Sequence, residues 1–239
     1  MKLSVLIPVF NESRTLKDIL AMVEKVDLGN IGKEIIIIDD ASTDGSKEIM
    51  KKLGKKYVKI FHPRNMGKGA ALKSGIKIAK GNFIVFQDAD LEYDPNDYVK
   101  LLQPILANKA EIAFGSRFVN QKFVLFGKNR IVHPSHFIGN KFLTFAFNLL
   151  YGTNLTDVEP CYKMFKTNIL KSIDAASNGF EYDIELMCRL VRKGRRITQI
   201  PISYNPRGFD EGKKINWRDG IKAFLMMLKY RIIVKGTKI

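Results

Sequence analysis

The sequence is poor in cysteine and histidine. Its two cysteines, Cys161 and Cys188, cannot build a disulfide framework, and neither has a histidine or cysteine neighbour at metal-ligand spacing. Reduced thiols, as in a cytosolic protein, are therefore expected. The three histidines (His62, His133 and His136) also lack companion ligands, so no zinc site is predicted.

Long apolar segments and abundant proline are missing as well. No uncharged stretch of the sequence reaches the roughly 18–20 residues of a membrane span. A strand-like run, LSVLIPV, begins at Leu3, so we expect no signal peptide. With 46% hydrophobic residues and only eight prolines, the 239 residues are predicted to fold as one α/β domain with a full core.

Acidic residues are scarce relative to basic ones. The chain has 24 acids against 40 lysines and arginines, a net charge of +16. Residues 189–239 hold fourteen of these bases and three of the acids, a net of +11. A basic end of this kind predicts an anionic partner, which is nucleic acid, a membrane surface or a phosphorylated substrate.

The first half alternates short β-branched runs with helical patterns, which predicts a doubly wound, mostly parallel α/β sheet. We divide the chain into a domain over residues 1–214 and a basic amphipathic helix within 215–239. The predicted strands are 3–9, 34–39, 57–61, 83–87, 111–117 and 197–204. The predicted helices are 11–26, one capped by Ser42 or Asp44, 67–80, 136–151, 181–193 and a final helix, with a long loop at 118–135.

The stretch FIVFQDADLEYDP (83–95) concentrates acids in an otherwise basic chain. Asp88, Asp90, Glu92 and Asp94 follow a predicted strand at every second position, so on extended chain they would share one face and repel one another. Hard divalent cations with oxygen ligands are the usual remedy for such a cluster. The pattern predicts Mg²⁺ or Mn²⁺ at this edge of the sheet, and a solvated acidic loop is the alternative.

The usual glycine-rich phosphate cradles are missing. The segment GKGAALKSG (67–75) has neither the GxGxxG spacing nor the GxxxxGK spacing followed by serine or threonine. A diphosphate bound at this edge would therefore be neutralised by the metal and by lysine or arginine side chains.

Five motifs together resemble the family 2 glycosyltransferases with the GT-A fold over roughly residues 1–120. They are PVFNE (8–12), DDASTDGS (39–46), NMGKGAAL (65–72), QDADLEYDP (87–95) and GSR (115–117). Within that family, DADL and the later GFEYDIEL (179–186) are most similar to the dolichyl-phosphate mannosyltransferase and polyprenyl-phosphate sugar transferase branch. The QxxRW motif of processive polysaccharide synthases is absent, because the single tryptophan, Trp217, lies in NWRDG.

The resemblance implies a role for particular residues. The donor's nucleoside and phosphates would contact eight of them, with Asp40 accepting a hydrogen bond from the base and Lys68 facing phosphate unless it is an ordinary solvated lysine. The donor residues are Pro8, Phe10, Glu12, Asp39, Asp40, Lys68, Gln87 and Ala89. The metal ligands would be Asp88, Asp90 and Glu92. Asp88 and Asp90 are also predicted to be catalytic residues. Arg117, together with Arg207 from a loosely matching NPRGFDEGKK segment (205–214), would hold the acceptor's phosphate.

The resemblance also implies a reaction. A metal-dependent inverting glycosyltransferase would move a hexose from a GDP-mannose or UDP-glucose type donor to a polyprenyl or dolichyl phosphate. A phosphate acceptor needs no general base, whereas a hydroxyl on a soluble glycan or protein does. Five acids are candidate bases: Asp157, Glu159, Glu181, Asp183 and Glu185. A basic nucleic-acid-binding protein is the remaining alternative, but it leaves the acid cluster unexplained, so we expect no nucleic-acid partner.

The C-terminal helix predicts where the protein works. Six apolar residues recur every three or four positions: Trp217, Ile221, Phe224, Leu225, Leu228 and Ile232. Flanked by lysine and arginine, such a helix suits the plane of an anionic membrane, and the apolar segment 137–151 would add a second contact. We therefore expect a peripheral protein on the cytoplasmic face of a membrane, attached directly or through a membrane-protein partner. In the alternative, both helices simply pack on the sheet.

Overall fold

A computed structural model describes residues 1–119, 134–206 and 217–232. These residues contain one seven-stranded sheet in the order β3-β2-β1-β4-β6-β5-β7. Every pairing is parallel except those of β6, which runs antiparallel to both of its neighbours. The strands are β1 (Lys2–Val9), β2 (Gly32–Asp39), β3 (Tyr57–Phe61), β4 (Phe83–Phe86), β5 (Ile112–Ser116), β6 (Lys163–Lys166) and β7 (Ile197–Pro201).

Helices cover both faces of the sheet, so two apolar cores form, one on each side. The central strands are buried along almost their whole length, which explains why they read as unbroken apolar runs. The predicted doubly wound, mostly parallel fold is confirmed. The helices are α1 (Leu16–Lys25), α2 (Ser46–Lys52), α3 (Lys68–Ile78), α4 (Tyr98–Leu106), α5 (Pro134–Tyr151), α6 (Thr167–Lys171), α7 (Tyr182–Arg192) and α8 (Trp217–Ile232).

The first helix starts later than predicted. Residues 11–13 form a loop, and α1 begins only at Leu16. The backbone N–H groups of this loop donate to Ser42 Oγ, Asp44 Oδ2 and Ser46 Oγ at 2.8–3.0 Å. Because the loop after β2 binds these donors, the loop after β1 is tied to its neighbour and does not enter a helix.

Three short elements were missed by the sequence patterns: β6, α4 and α6. The strand β6 is the four-residue segment KMFK, which is too short to show a periodic pattern. It lies between β4 and β5 in the sheet, although it follows both of them in the sequence. The predicted strand 83–87 also ends one residue early, at Phe86, so the acids that follow are not on a strand.

The helix α8 packs against α5 and α7. Its inner face buries Ala223, Met227 and Tyr230, whereas Ile221 and Leu225 on the predicted apolar face point outward. In the described part of the chain, none of the helices is both long and apolar enough to cross a bilayer. The boundary after residue 214 falls outside the described residues and stays a prediction.

A glycine two residues before β4 tests the packing of the sheet. A Cβ on Gly81 would lie 2.6 Å from Ser4 Oγ, 2.7 Å from Ser4 N and 2.8 Å from Lys2 O. Since two of these atoms are backbone, we expect Gly81→Ala to lower the free energy of unfolding by about 1–3 kcal/mol. The control is Gly54→Ala, where a Cβ meets nothing within 4 Å. Equal urea midpoints for the two variants would contradict this account.

Candidate active site

The carboxyl ends of three neighbouring strands form one edge of the sheet. The strand β1 lies between β2 and β4, all parallel, so the residues that follow each of them are brought together. Ligands of open α/β sheets bind at this edge. The predicted donor residues on β1 and its loop, Pro8, Phe10 and Glu12, lie here, with Pro8 paired to Ile38 and Glu12 buried beside Thr15.

Asp39 ends β2 and is completely buried. Its Oδ1 accepts a hydrogen bond from the Ser42 N–H at 3.1 Å, while its buried Oδ2 has no hydrogen-bond partner among the residues that the structure describes. Buried carboxylate oxygens are nearly always bonded, so an unbonded one at a ligand-binding edge indicates a place for an external donor.

Asp40, the next residue, has its carboxylate fully engaged by the protein. Oδ1 accepts from the Met66 N–H at 2.9 Å and lies 2.7 Å from His62 Nδ1, and Oδ2 accepts from the Gly67 N–H at 2.7 Å. The ring of His62 bridges Asp40 and Ser74, a role that the sequence did not indicate. The carboxylate of Asp40 thus anchors the loop that leads into α3.

Lys68 is the first residue of α3 and pairs with Asp88. Its Nζ lies 2.7 and 2.9 Å from the two oxygens of that carboxylate and 4.0 Å from Asp183. Burial raises the pKa of Asp88, but the Lys68 ammonium outweighs it and leaves the pKa below its usual value. Burial likewise lowers the pKa of Lys68, and Asp88 reverses this, so the pKa lies well above normal. Both groups are charged at neutral pH.

The alternating acids after β4 do not form one row. Asp90 accepts from the Glu92 N–H at 3.1 Å, and Asp94 accepts from the Asn96 N–H at 2.9 Å to start a 3₁₀ turn. Leu91 takes a positive φ of 62°, which bends the chain between them. Among the residues that the structure describes, no group of three His, Cys, Asp or Glu side chains is arranged to hold a metal. The acids that were predicted to share one face are thus separated by the bend at Leu91, and Asp88 pairs with Lys68.

Gln87 and Ala89, also predicted to bind the donor, are buried beneath this edge. The Gln87 Oε1 accepts hydrogen bonds from the hydroxyls of Tyr98 at 2.5 Å and Tyr162 at 2.7 Å. These contacts fix the start of the acidic loop from below. The side-chain oxygen of Gln87 is therefore bonded to other residues of the protein.

Arg117, just after β5, forms an ion pair with the completely buried carboxylate of Asp157. The two residues are too far apart in the sequence for this pairing to be predicted. The Nε and Nη2 of Arg117 donate to Asp157 at 2.8 and 2.9 Å, and Nη2 also donates to the Glu159 carbonyl at 3.2 Å. Its guanidinium lies 5.4 Å from the Tyr204 ring centroid. Arg117 is therefore held rigidly before any ligand binds. Arg207 lies outside the described residues.

Further charged side chains lie close to this edge of the sheet. One of them, Lys163, was not singled out by the sequence analysis. Lys163 is completely buried, and its Nζ contacts the Pro160 carbonyl and lies 2.9 Å from Asp183. Glu159 is half-buried nearby; burial raises the pKa of Glu159 to about 7, with Asp157 adding to the rise and Arg117 and Lys163 opposing it. Glu159 is one of the five candidate bases, and its raised pKa brings its carboxyl close to neutral pH.

Comparison with known proteins defines the class: the chain is a glycosyltransferase. Residues 4–174 match the family described as Glycosyl transferase family 2, which covers most of the chain. The protein therefore belongs to glycosyltransferase family 2, as the five sequence motifs predicted.

Two curated archaeal relatives align with nearly the whole chain. An uncharacterized protein of Methanocaldococcus jannaschii is 28% identical over 235 residues, covering 95% of this chain and 91% of its own length. The low-salt glycan biosynthesis hexosyltransferase of Haloferax volcanii is 28% identical over 228 residues, again covering 95% of this chain. The chain spans only 53% of that hexosyltransferase.

A solved structure has the same fold. Glucosyl-3-phosphoglycerate synthase from Mycobacterium tuberculosis, in complex with Mn²⁺, uridine diphosphate and glucosyl-3-phosphoglycerate, superposes with a TM-score of 0.72. The match has 17% sequence identity and covers 99% of this chain and 81% of that one. The predicted GT-A type fold is confirmed.

The raised pKa of Glu159 makes a prediction about stability. In the unfolded chain its carboxyl loses a proton near pH 4.5, and in the folded protein near pH 7. Between these values the folded state binds the extra proton, so this group's contribution to stability falls as pH rises. We expect Glu159→Gln to gain stability relative to the unchanged protein between pH 5 and pH 8, on the order of 1 kcal/mol because solvent screens a half-buried group.

Urea unfolding at the two pH values measures this difference directly. The control is Glu181→Gln, which removes a carboxylate just before α7. A stability difference between Glu159→Gln and the unchanged protein that stays constant from pH 5 to pH 8 would show that Glu159 ionises normally.

Proposed function

We propose that the protein transfers a hexose, with inversion, from a nucleotide sugar to the phosphate of a polyprenyl or dolichyl lipid. The donor is of the UDP-glucose or GDP-mannose type, and a divalent metal assists. The observation that carries the proposal is the edge where Asp39 offers an unbonded buried oxygen at the end of β2, and where Lys68 pairs with Asp88 beyond the end of β4, on the other side of β1. A nucleoside base and a diphosphate need these groups side by side: an acceptor for a base N–H, and charges for the phosphates.

In this proposal the base contact belongs to Asp39. The sequence resemblance assigned it to Asp40, but both oxygens of Asp40 already accept hydrogen bonds from the protein. Asp40 instead places the start of α3, and with it Lys68, toward the donor's phosphates. Pro8, Phe10 and Glu12 form the neighbouring wall of the nucleoside site.

The residues present fit a Mg²⁺ or Mn²⁺ ion. Mg²⁺ is usually held by one or two carboxylates together with substrate phosphates and water, so Asp88 and Asp90 suffice without a third acid. Glu92 is then an outer contact of the loop. When bound, the ion would offset charge on the leaving nucleoside diphosphate. The mycobacterial synthase with this fold was crystallised with Mn²⁺ or Mg²⁺ and uridine diphosphate, which supports the same chemistry here.

The acceptor phosphate is proposed to bind at Arg117, with Arg207 as a second contact. Asp157 holds the guanidinium of Arg117 through two hydrogen bonds, so its remaining N–H groups have a fixed direction. A phosphate oxygen is already charged near neutral pH and attacks the sugar without a base. The mycobacterial synthase was also crystallised with phosphoglyceric acid, a phosphate-bearing molecule.

A hydroxyl acceptor is the second candidate, and one observation favours it. Glu159 lies beside Arg117 with a pKa of about 7, which suits a general base at neutral pH. With a soluble glycan or protein as acceptor, Glu159 would take the proton of the attacking hydroxyl. Glu159→Gln distinguishes the two, because it should greatly slow transfer to a hydroxyl and leave transfer to a phosphate nearly unchanged.

The protein is proposed to work on the cytoplasmic face of an anionic membrane, where the lipid acceptor lies. The helices α5 and α8 each expose a stripe of apolar side chains. Half or more of each of these side chains is exposed: Ile138, Phe142, Phe145 and Leu149 on α5, and Ile221, Leu225 and Ile232 on α8. Lys141, Lys222, Lys229 and Arg231 are exposed around them. An exposed apolar surface that is surrounded by basic side chains is favourable for binding to a membrane of anionic lipids.

The metal proposal predicts the effect of Asp90→Asn. Removing one carboxylate should weaken Mn²⁺-dependent binding of UDP or GDP by about tenfold or more, since changes even beyond the direct ligands cost that much. The melting temperature should not fall, because Asp90 is a half-exposed loop residue. Calorimetric titration with and without EDTA measures this. Binding that is equally tight in EDTA would sink the metal assignment.

The membrane proposal predicts sedimentation with vesicles. The full chain should pellet with vesicles containing phosphatidylserine, should be partly released by high salt, and should pellet less with neutral vesicles. The double variant Phe145→Ser, Leu225→Ser should lose most binding because it interrupts both stripes. Val99→Ser on α4 is the control, since it changes an exposed apolar residue on another helix. Equal pelleting of the double variant and the control would refute the proposed surface.

A further inference from the structure

Glu185 on α7 is a completely buried carboxylate that joins three parts of the chain. It accepts hydrogen bonds from the backbone N–H groups of Ala176 at 2.9 Å and Ser177 at 2.8 Å. It also accepts from Arg189 Nε at 2.7 Å and from the Tyr230 hydroxyl of α8 at 2.6 Å. Burial raises the pKa of Glu185, but these hydrogen bonds outweigh it and lower the pKa to about 2. The group is therefore charged at neutral pH.

The loop that Glu185 holds packs directly on the first turn of α3. The Asn178 carbonyl accepts from the Ala70 N–H at 3.0 Å. A Cβ on Gly67 would lie 2.4 Å from that carbonyl oxygen, and one on Gly69 would lie 2.6 Å from Tyr182 Cβ. The contact is thus so close that only glycine fits at both positions. A shift of the loop would have to shift the start of α3.

The first turn of α3 carries the charged group of the donor site. Lys68 lies between Gly67 and Gly69 and pairs with Asp88. The Gly67 N–H is also the donor to Asp40. The position of the Lys68 ammonium is therefore fixed from one side by Asp40 and from the other by the loop 176–178.

We propose that Glu185 is a positioning residue for the donor site, acting through the loop 176–178 on Lys68. Glu185 itself touches neither donor nor acceptor in this account. The inference rests on the proposed function, because it assigns Lys68 to the donor's phosphates. Since Tyr230 belongs to α8, the same carboxylate links the helix of the proposed membrane surface to the donor site.

The variant that tests this is Glu185→Gln. Glutamine keeps one acceptor oxygen, but its NH₂ group would face backbone donors, so the N–H of Ala176 or Ser177 would lose its acceptor. We expect faster hydrogen exchange at the amides of Gly67 and Ala70. We also expect a dissociation constant about tenfold higher for UDP or GDP, each titrated with Mn²⁺, a typical size for coupling between linked sites.

Two further variants separate positioning from general destabilisation. Tyr230→Phe keeps the buried ring and removes one of the four hydrogen bonds, so it should produce the same changes at reduced size. Glu111→Gln changes another hydrogen-bonded glutamate, bonded to the Arg196 N–H at the opposite edge of the sheet. It should lower stability without changing nucleotide affinity or the exchange of the Gly67 and Ala70 amides.

The outcomes distinguish this inference from the proposed function. If neither nucleotide binds the unchanged protein, the proposed donor class fails, while hydrogen exchange still tests the link from Glu185 to α3. Exchange at Gly67 and Ala70 that stays unchanged in Glu185→Gln, or in Tyr230→Phe should the first variant not fold, would overturn the inference. Unchanged nucleotide affinity in a folded Glu185→Gln protein would overturn it as well.

Discussion

The hydrogen bonds of the Asp40 carboxylate are the constraint on which the site depends. Asp40 follows a central strand and is nearly completely buried, and hydrogen bonds from two backbone N–H groups and the contact with the His62 ring offset the cost of burying its polar oxygens. Those backbone groups belong to Met66 and Gly67, immediately before α3. The end of β2 therefore decides where α3 begins, and α3 begins with Lys68.

Charges at this edge are arranged in alternation. Asp88, Lys68, Asp183 and Lys163 form a connected series of ion pairs, and Arg117 with Asp157 forms a second pair close by. Buried and half-buried charges of this kind are costly unless each has a partner. An arrangement prepared in this way can receive an anionic diphosphate and a cation without large rearrangement, which is how preorganised sites stabilise charge that develops during a reaction.

The sequence predicted the parts of the fold that repeat a simple pattern. Continuous apolar runs located the central strands, and β3 was predicted at its observed bounds, because burial on both faces leaves a clear local signal. The strand β6 gave no such signal, since KMFK joins the sheet only through pairing with distant strands. The stripe on α8 was predicted, but the division between its buried and exposed faces depended on α5 and α7.

The sequence predicted where the site lies, but not which side chains pair with one another there. Acids at strand ends located the edge, because parallel strands bring their carboxyl ends together. Which of Asp39 and Asp40 stays available depended on Met66 and Gly67, more than twenty residues later. The pairing of Arg117 with Asp157 spans forty residues, and the buried Lys163 lies on the strand that was missed. Such contacts are set by tertiary structure and leave no local pattern.

The central claim is that this edge passes a hexose from a nucleotide sugar to a lipid phosphate. The most direct measurement offers radiolabelled UDP-glucose and GDP-mannose, each with Mn²⁺ and polyprenyl phosphate in anionic vesicles, and follows label into the organic phase. The account predicts that one donor yields lipid-extractable label and that omitting the lipid phosphate abolishes it. Label that instead reaches a soluble hydroxyl acceptor while none enters the organic phase would contradict the claim.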